Sequence, residues 1–497
     1  MKYTKYKIVA SIAIGALMLG GCKKFLDTNK NPNIANNPGI ELVLPSAQVE
    51  IAHVLGNNFQ VNGCFWAQYW TQSPLANQYK QYDQYQPSTD NYNRAWGTLY
   101  NGAMNDLQYI YNTAKVKNNK NYMAISRLMS AYTFQLITDA WGDAPYVEAL
   151  RGLESAGGIV SPKYDMQSAI YDSIISQINE ATALIDVNSN VHPGADDLIY
   201  GGDMSLWSEF AYTLKLKVAL RLSEVNPSKA AALIADIEAD PNFNGFIAGE
   251  GEDAKIAFST AGGSENPLYS EIVGVGKTQN LYASATCVDS MKSNSDPRVF
   301  VFYKPLSNGT VVGNTQGDYN NSTSASGKSI VSYVVGGEAA NAGSAAAPVR
   351  LISSYESLLL QSEAYARGWL VSGGDDSTMF YNAIDASFEA YGITDPAEIS
   401  YYKDSTYWGV YPVTGSVNDK IRHIITQKWF AMCGNQGFEA WTEQRRTGFP
   451  SFLIQSVNSL IGTKRPSRFV YPTEEINLNA NFPGLKSVDQ KVWWDVN

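Results

Sequence analysis

Apolar residues recur at helical spacing along much of the chain. Ile125, Leu128, Met129, Tyr132 and Leu136 fall on one face, as do Ile170, Ile174, Ile178, Ala181 and Ile185. The period returns in Trp207, Phe210, Ala211, Leu214, Val218 and Leu222, and again in Tyr355, Leu358, Leu359, Ser362, Ala366 and Trp369. A stripe repeating every three to four positions marks a helix that buries one side. Further helices are predicted over 41–56, 92–115, 376–391 and 418–433. Paired helices joined by short turns predict a mainly α, tetratricopeptide-like scaffold, although no clean repeat of about 34 residues is present. Between about 240 and 350 the helical period fades and Gly, Ser, Asn and Ala take over, as in Gly313-Asn314-Thr315-Gln316-Gly317. A long irregular stretch inside a folded protein is usually functional, and here it predicts a loop-rich second lobe packed on the helices.

The first 22 residues follow a different pattern. Lys2, Lys5 and Lys7 precede an apolar run from Ile8 to Leu19, too short to span a bilayer comfortably, and Gly20 and Gly21 lead directly into Cys22. Leu19-Gly20-Gly21-Cys22 fits a bacterial lipobox, so 1–21 is expected to be a lipoprotein signal peptide and Cys22 the lipidated N-terminus. Two or three acyl chains anchor stably where one would be marginal. Residues 22–40, rich in Asn and Pro, form the expected tether, and 41–497 the body. The body carries no later apolar run long enough to span a membrane. With Cys22 lipidated, Cys64, Cys287 and Cys433 are too few and too widely spaced for a disulfide framework, and are expected as small buried hydrophobes.

Composition narrows the function. The chain of 497 residues is 44% hydrophobic and 17% charged, which favours an ordered globular body. A formal net charge of -10 argues against nucleic acid, whose phosphates call for a basic surface. The three histidines, His53, His192 and His423, lack the helical spacing of a zinc site, and no metal or other cofactor is expected. No nucleophile elbow, phosphate loop or dinucleotide fingerprint is present, so no catalytic residue is assigned.

Several segments, taken in order, carry a family resemblance. KKFLDTNKNPN follows Cys22, TDAWGDAPYVEAL runs from Thr138 to Leu150, and YGGDMSLWSEFAYTLKLKVALR from Tyr200 to Arg221. Asp296-Pro297-Arg298, the run Glu356–Trp369, ITQKWFAMCGNQGFEAWTEQRRTGFP (Ile425–Pro450) and RPSRFVYPTEE (Arg465–Glu475) continue the series. Together they resemble the SusD/RagB family of Bacteroidetes outer-membrane lipoproteins, most closely its SusD-like second branch. The resemblance implies four tetratricopeptide-like helix pairs with a variable ligand-binding lobe. It also implies a cell-surface, lipid-anchored lid over a SusC-like TonB-dependent transporter, an oligosaccharide or peptide cargo, and no catalysis. The same motifs have a plain structural reading. Gly142 suits a left-handed helix end before Pro145, Trp141 and Tyr146 suit packing, and Arg445 and Arg446 suit capping carbonyls or pairing with acids such as Glu443.

The strongest candidate binding surface lies between 57 and 92, where Trp66, Tyr69, Trp70, Tyr79, Tyr82 and Tyr85 alternate with Asn and Gln. Rings stack on the C–H faces of sugars and amides meet their hydroxyls. Phe59 and Phe65 fit the buried face of a helix over 59–72. Trp70 and Tyr79 flank the Ser73-Pro74 break, where a ring is either exposed for ligand or packed as core. Arg350, before the helix that holds Tyr355, is a further candidate contact. The expected ligand-binding set is therefore Trp66, Trp70, Tyr79, Tyr82 and Arg350. An oligosaccharide is the favoured cargo, a peptide the alternative, and a helical scaffold without ligand a third reading.

Overall fold

The computed structural model describes residues 37–497, apart from 153–156, 275, 277–278 and 322–326. The signal peptide, Cys22 and most of the tether lie outside the described residues. Helix dominates, at about 51%. The longer helices are α1 (Ile40–Val54), α2 (Gln60–Trp66), α3 (Asn105–Val116), α4 (Lys120–Trp141), α5 (Gln167–Leu184), α6 (Met204–Arg221) and α7 (Pro227–Glu238). After the irregular stretch, which holds α8 (Ala285–Ser293), come α9 (Ser354–Ala366), α10 (Asp376–Ala390), α11 (Pro396–Ser405), α12 (Val417–Ala431) and α13 (Gly437–Thr447).

Local chemistry sets where these helices begin. Side chains of Asn119, Asp203, Asn226, Ser353 and Asp375 accept from free backbone N–H groups in the first turns of α4, α6, α7, α9 and α10. Ser416 and Asp419 cap α12 reciprocally. Gly142, at φ 78°, ends α4, and Trp141 and Tyr146 pack inward as expected, Tyr146 against Phe134 at 4.5 Å.

Consecutive helices pack on each other, α3 on α4, α4 on α5, α6 on α7, α9 on α10 and α12 on α13, which is the tetratricopeptide-like arrangement. Residues 40–497 make one compact unit. The stretch 240–350 contains mostly turns and short elements, and joins the helices through two small antiparallel sheets. β1 (Trp70–Gln72) pairs with β5 (Leu281–Ala283), and β4 (Ala254–Ile256) with β6 (Val349–Ile352). β2 (Ala144–Pro145) pairs with β3 (Tyr164–Asp165). Among the described residues no helix is long and apolar enough to cross a membrane.

The interior between α6, α9, α12 and α13 is ionic. Lys217 Nζ lies 2.7 Å from Glu356 and 3.1 Å from Glu439. Arg221 binds Glu439 at 2.6 Å and also Glu443, and Arg446 binds Glu363 at 2.6 Å and Glu443 at 2.7 Å. Burial alone would raise Glu439, but Arg221, Lys217 and Lys428 outweigh it and hold the carboxyl at about 2. Arg445 instead donates to the carbonyls of Asp139 and Ser467, both at 2.9 Å. The two adjacent arginines thus divide the roles of carbonyl capping and acid pairing. Such pairs require close geometry to offset desolvation, so they fix how the helix pairs meet.

Candidate functional site

Residues 59–72 do not fold as one amphipathic helix. α1 continues through a π-helical turn at Leu55–Phe59 into α2, which stops at Trp66. Gln68 then takes φ 60°, and Trp70 enters β1 opposite Ala283 rather than closing a helix. This corrects the expectation of an outward ring: Trp70 is 0% exposed, and its carbonyl accepts from Gln316 Nε2 at 3.1 Å. Trp66 is also core, edge-on to Trp441 at 4.8 Å, with its indole N–H donating to Tyr82 O at 3.1 Å. Tyr69 and Tyr85 are buried, the Tyr69 hydroxyl donating to Trp429 O. Arg350 on β6 is 5% exposed and faces Asp253, Nε to Oδ2 at 3.1 Å, so it is an internal ion pair. Phe59 and Phe65 are buried as expected.

Tyr79 and Tyr82 are the two expected residues that meet a ligand-sized space. They line a cavity of about 480 Å³ beside α1. That volume is in the range of small-molecule sites, roughly 300–1,000 Å³. Their rings stack 5.9 Å apart at 19°, and both pack edge-on against Phe65, at 5.9 and 5.8 Å. The Tyr79 amide donates to Gln72 Oε1 at 2.7 Å, which fixes the start of this segment.

Part of the remaining wall comes from places where helices are wound irregularly. The described residues contain three π-helical stretches, Leu55–Phe59, Thr98–Met104 and Ser270–Gly274. All three reach the same cavity, through Asn57 and Asn58, Thr98, and Glu271 respectively. A π-turn costs regular hydrogen bonding and recurs at functional sites, where it re-aims side chains. Gly102, within the second stretch, approaches Glu50 of α1 so closely that a Cβ there would collide with the carboxylate.

Polar atoms in this wall are unmatched. The Tyr79 hydroxyl, Asn58 Oδ1 and Glu50 Oε2 are buried and have no hydrogen-bond partner within the protein. Buried polar atoms are normally paired, so these three leave unmet hydrogen-bonding capacity in residues that line one cavity. Burial, with Asp106 adding to it, raises the Glu50 carboxyl to about 7. His53 is lowered by burial and by Arg94. Tyr82 is pushed up to about 12 by burial, and the Tyr79 hydroxyl is raised by burial, Glu271 and Tyr82. Both phenols are therefore neutral hydrogen-bonding groups at physiological pH. Among the described residues no group of His, Cys, Asp or Glu is arranged to hold a metal ion.

Glu50, His53, Arg94 and Glu271 lie outside the aromatic segment, and Asn58, within it, was not singled out. A usable signal was present in and just after α1, where Ser46, Glu50, His53 and Asn57 fall at helical spacing on one polar side.

Fold and cavity together define a class, a tetratricopeptide-like scaffold of helix pairs with a ligand-sized cavity beside its first helix. Residues 32–472 match the SusD-like family described as starch-binding and associating with the outer membrane, and the chain belongs to that family. No curated protein sequence matches the chain. Among solved structures it is similar to a chitin-binding protein, at 25% identity and a TM-score of 0.73 over 91% of this chain and 100% of that one. A chitin-binding SusD homologue from Flavobacterium johnsoniae is 22% identical, with a TM-score of 0.73 over 91% and 99% of the two chains. A SusD homologue from Bacteroides vulgatus is 21% identical, with a TM-score of 0.73 over 88% and 92%.

Proposed function

We propose that the chain is a cell-surface nutrient-binding lipoprotein, anchored through Cys22, that captures oligosaccharides and passes them to a SusC-like TonB-dependent transporter. The observation that carries the binding part is the convergence of three π-helical turns and three unmatched polar atoms on one cavity beside Tyr79 and Tyr82. Sugar hydroxyls donate and accept at once, which suits a wall of phenol, amide and carboxyl groups. The family description and the two chitin-binding neighbours support a glycan as cargo. SusD-like proteins are binding proteins, and we assign this chain no reaction. Anchoring, surface exposure and the transporter partnership rest on the lipobox and on membership of the family.

Glu50, Arg94 and Glu271 in the same wall favour a second reading, a peptide whose termini or charged side chains meet them. Calorimetric titration with N-acetylglucosamine oligomers, malto-oligosaccharides and a peptide library separates the two. The expected result is binding of one glycan class, weakened by Arg94→Ala, whose exposed side chain leaves the fold undisturbed. Peptide binding without glycan binding would replace the cargo, and unaltered glycan affinity in the variant would remove the cavity from the account.

A further inference from the structure

Three cysteines distant in sequence are all buried in the interior, and two of them touch. Cys287 of α8 and Cys433, just beyond α12, are fully buried with their sulfurs 3.7 Å apart. The Tyr303 hydroxyl lies 3.3 Å from Cys433 Sγ and 2.8 Å from the carbonyl of Tyr69. With its proton donated to Tyr69, the hydroxyl accepts from the Cys433 thiol, which leaves the sulfur lone pairs of Cys433 for Cys287. Cys64 of α2 is the third buried thiol.

We propose that Cys287 and Cys433 are a disulfide site, oxidised as the chain folds outside the cytoplasm. The family associates with the outer membrane, outside the cytoplasm, where disulfides form and persist. The oxidant is a disulfide of the thiol-exchange class, an oxidised protein dithiol or a small-molecule disulfide. One cysteine thiolate attacks it to give a mixed disulfide and one released thiol, and the second cysteine then displaces the other. Overall two Cys S–H groups and one RS–SR give one Cys–Cys bond and two RSH, the two electrons and two protons passing to the oxidant. Burial raises the Cys433 thiol well above its ordinary range, so the folded chain holds little thiolate there. Exchange therefore belongs to folding, before α8 docks, and the oxidation state is then locked in.

The bond would join positions 146 residues apart. β5 leads directly into α8 and pairs with β1, the strand that precedes the Tyr79–Tyr82 segment. Cys433 begins the turn into α13, where Gly434 O accepts from Gln60 at 2.6 Å. The link would staple the irregular stretch to the helical scaffold.

The test uses the full chain expressed with its N-terminal segment and recovered from the outer-membrane fraction. It is unfolded in guanidinium with iodoacetamide and no reductant, then digested and mapped by mass spectrometry. The expected result is a linked peptide containing Cys287 and Cys433, with Cys64 alkylated. Cys287→Ser should abolish that peptide and leave Cys433 alkylated. Should the variant fail to accumulate, the map of the unaltered chain decides alone. Alkylation of both Cys287 and Cys433 in that chain, or a link from either to Cys64, overturns the proposal.

Discussion

Replacing Tyr79 by Phe separates a binding hydroxyl from a packing ring. The ring keeps its place in phenylalanine, since it is held by Phe65, Tyr82 and the hydrogen bond from its own amide to Gln72. What is lost is a buried hydroxyl with no partner in the protein. An unpaired buried polar group costs about 1–3 kcal/mol. Its removal should therefore leave the empty protein as stable as before or more stable, by up to about 1 kcal/mol if cavity water satisfies part of the need. In the complex the same hydroxyl should bond the ligand, and its loss should cost about 1 kcal/mol of affinity, roughly fivefold in Kd. Tyr82→Phe provides the contrast, because that hydroxyl already accepts from Asn91 at 3.3 Å, and its loss should lower stability slightly. Denaturant melts and calorimetric titration read the two effects separately. Unchanged affinity in Tyr79→Phe, or a clear loss of stability, would refute the reasoning.

Trp70→Ala should cost about 3–5 kcal/mol of stability, as expected for a large core ring, and show as a lowered denaturation midpoint; a wild-type midpoint with lost binding would restore the exposed-ring reading. Glu50 should make stability pH-dependent. Its folded pKa of about 7 exceeds its ordinary 4.5, so the folded state holds the proton more tightly and stability falls as pH rises from about 4.5 to 7. Glu50→Gln should flatten that part of the melting profile, leaving the share due to Asp83 and Glu209, likewise raised to about 7; an unchanged slope would count against it. Cys22→Ala should leave the fold intact and move the protein from the detergent phase to the aqueous phase, and retention in detergent would rule out the lipid anchor.

Much of the scaffold was legible because helices such as α5 bury one stripe, and a stripe is a local pattern. α6 was legible only in part. Its apolar stripe marks the helix, but Lys217 and Arg221 are buried as well, because their partners Glu356, Glu439 and Glu443 arrive from more than 130 residues away. Local polarity assigns such residues to a surface, and tertiary pairing overrides it. The helix expected over 92–115 is interrupted at Thr98–Met104, and no simple residue pattern announces a π-turn. Trp70 was misplaced for a related reason. Ser73-Pro74 is a sound break, but the chain had already left the helix at Ala67 and found a strand partner at 283. Of the site, Tyr79 and Tyr82 were visible as aromatics among amides. Glu271 was not, since it joins them only through the folded chain.

On the proposed function, the cavity beside Tyr79 and Tyr82 holds the sugar. A crystal structure with the best-binding oligosaccharide tests it most directly. A sugar residue should lie inside the cavity, with a hydroxyl within hydrogen-bonding distance of Tyr79 and others reaching Asn58 or Glu50. An ordered oligosaccharide on another face, with the cavity left to water, would contradict it.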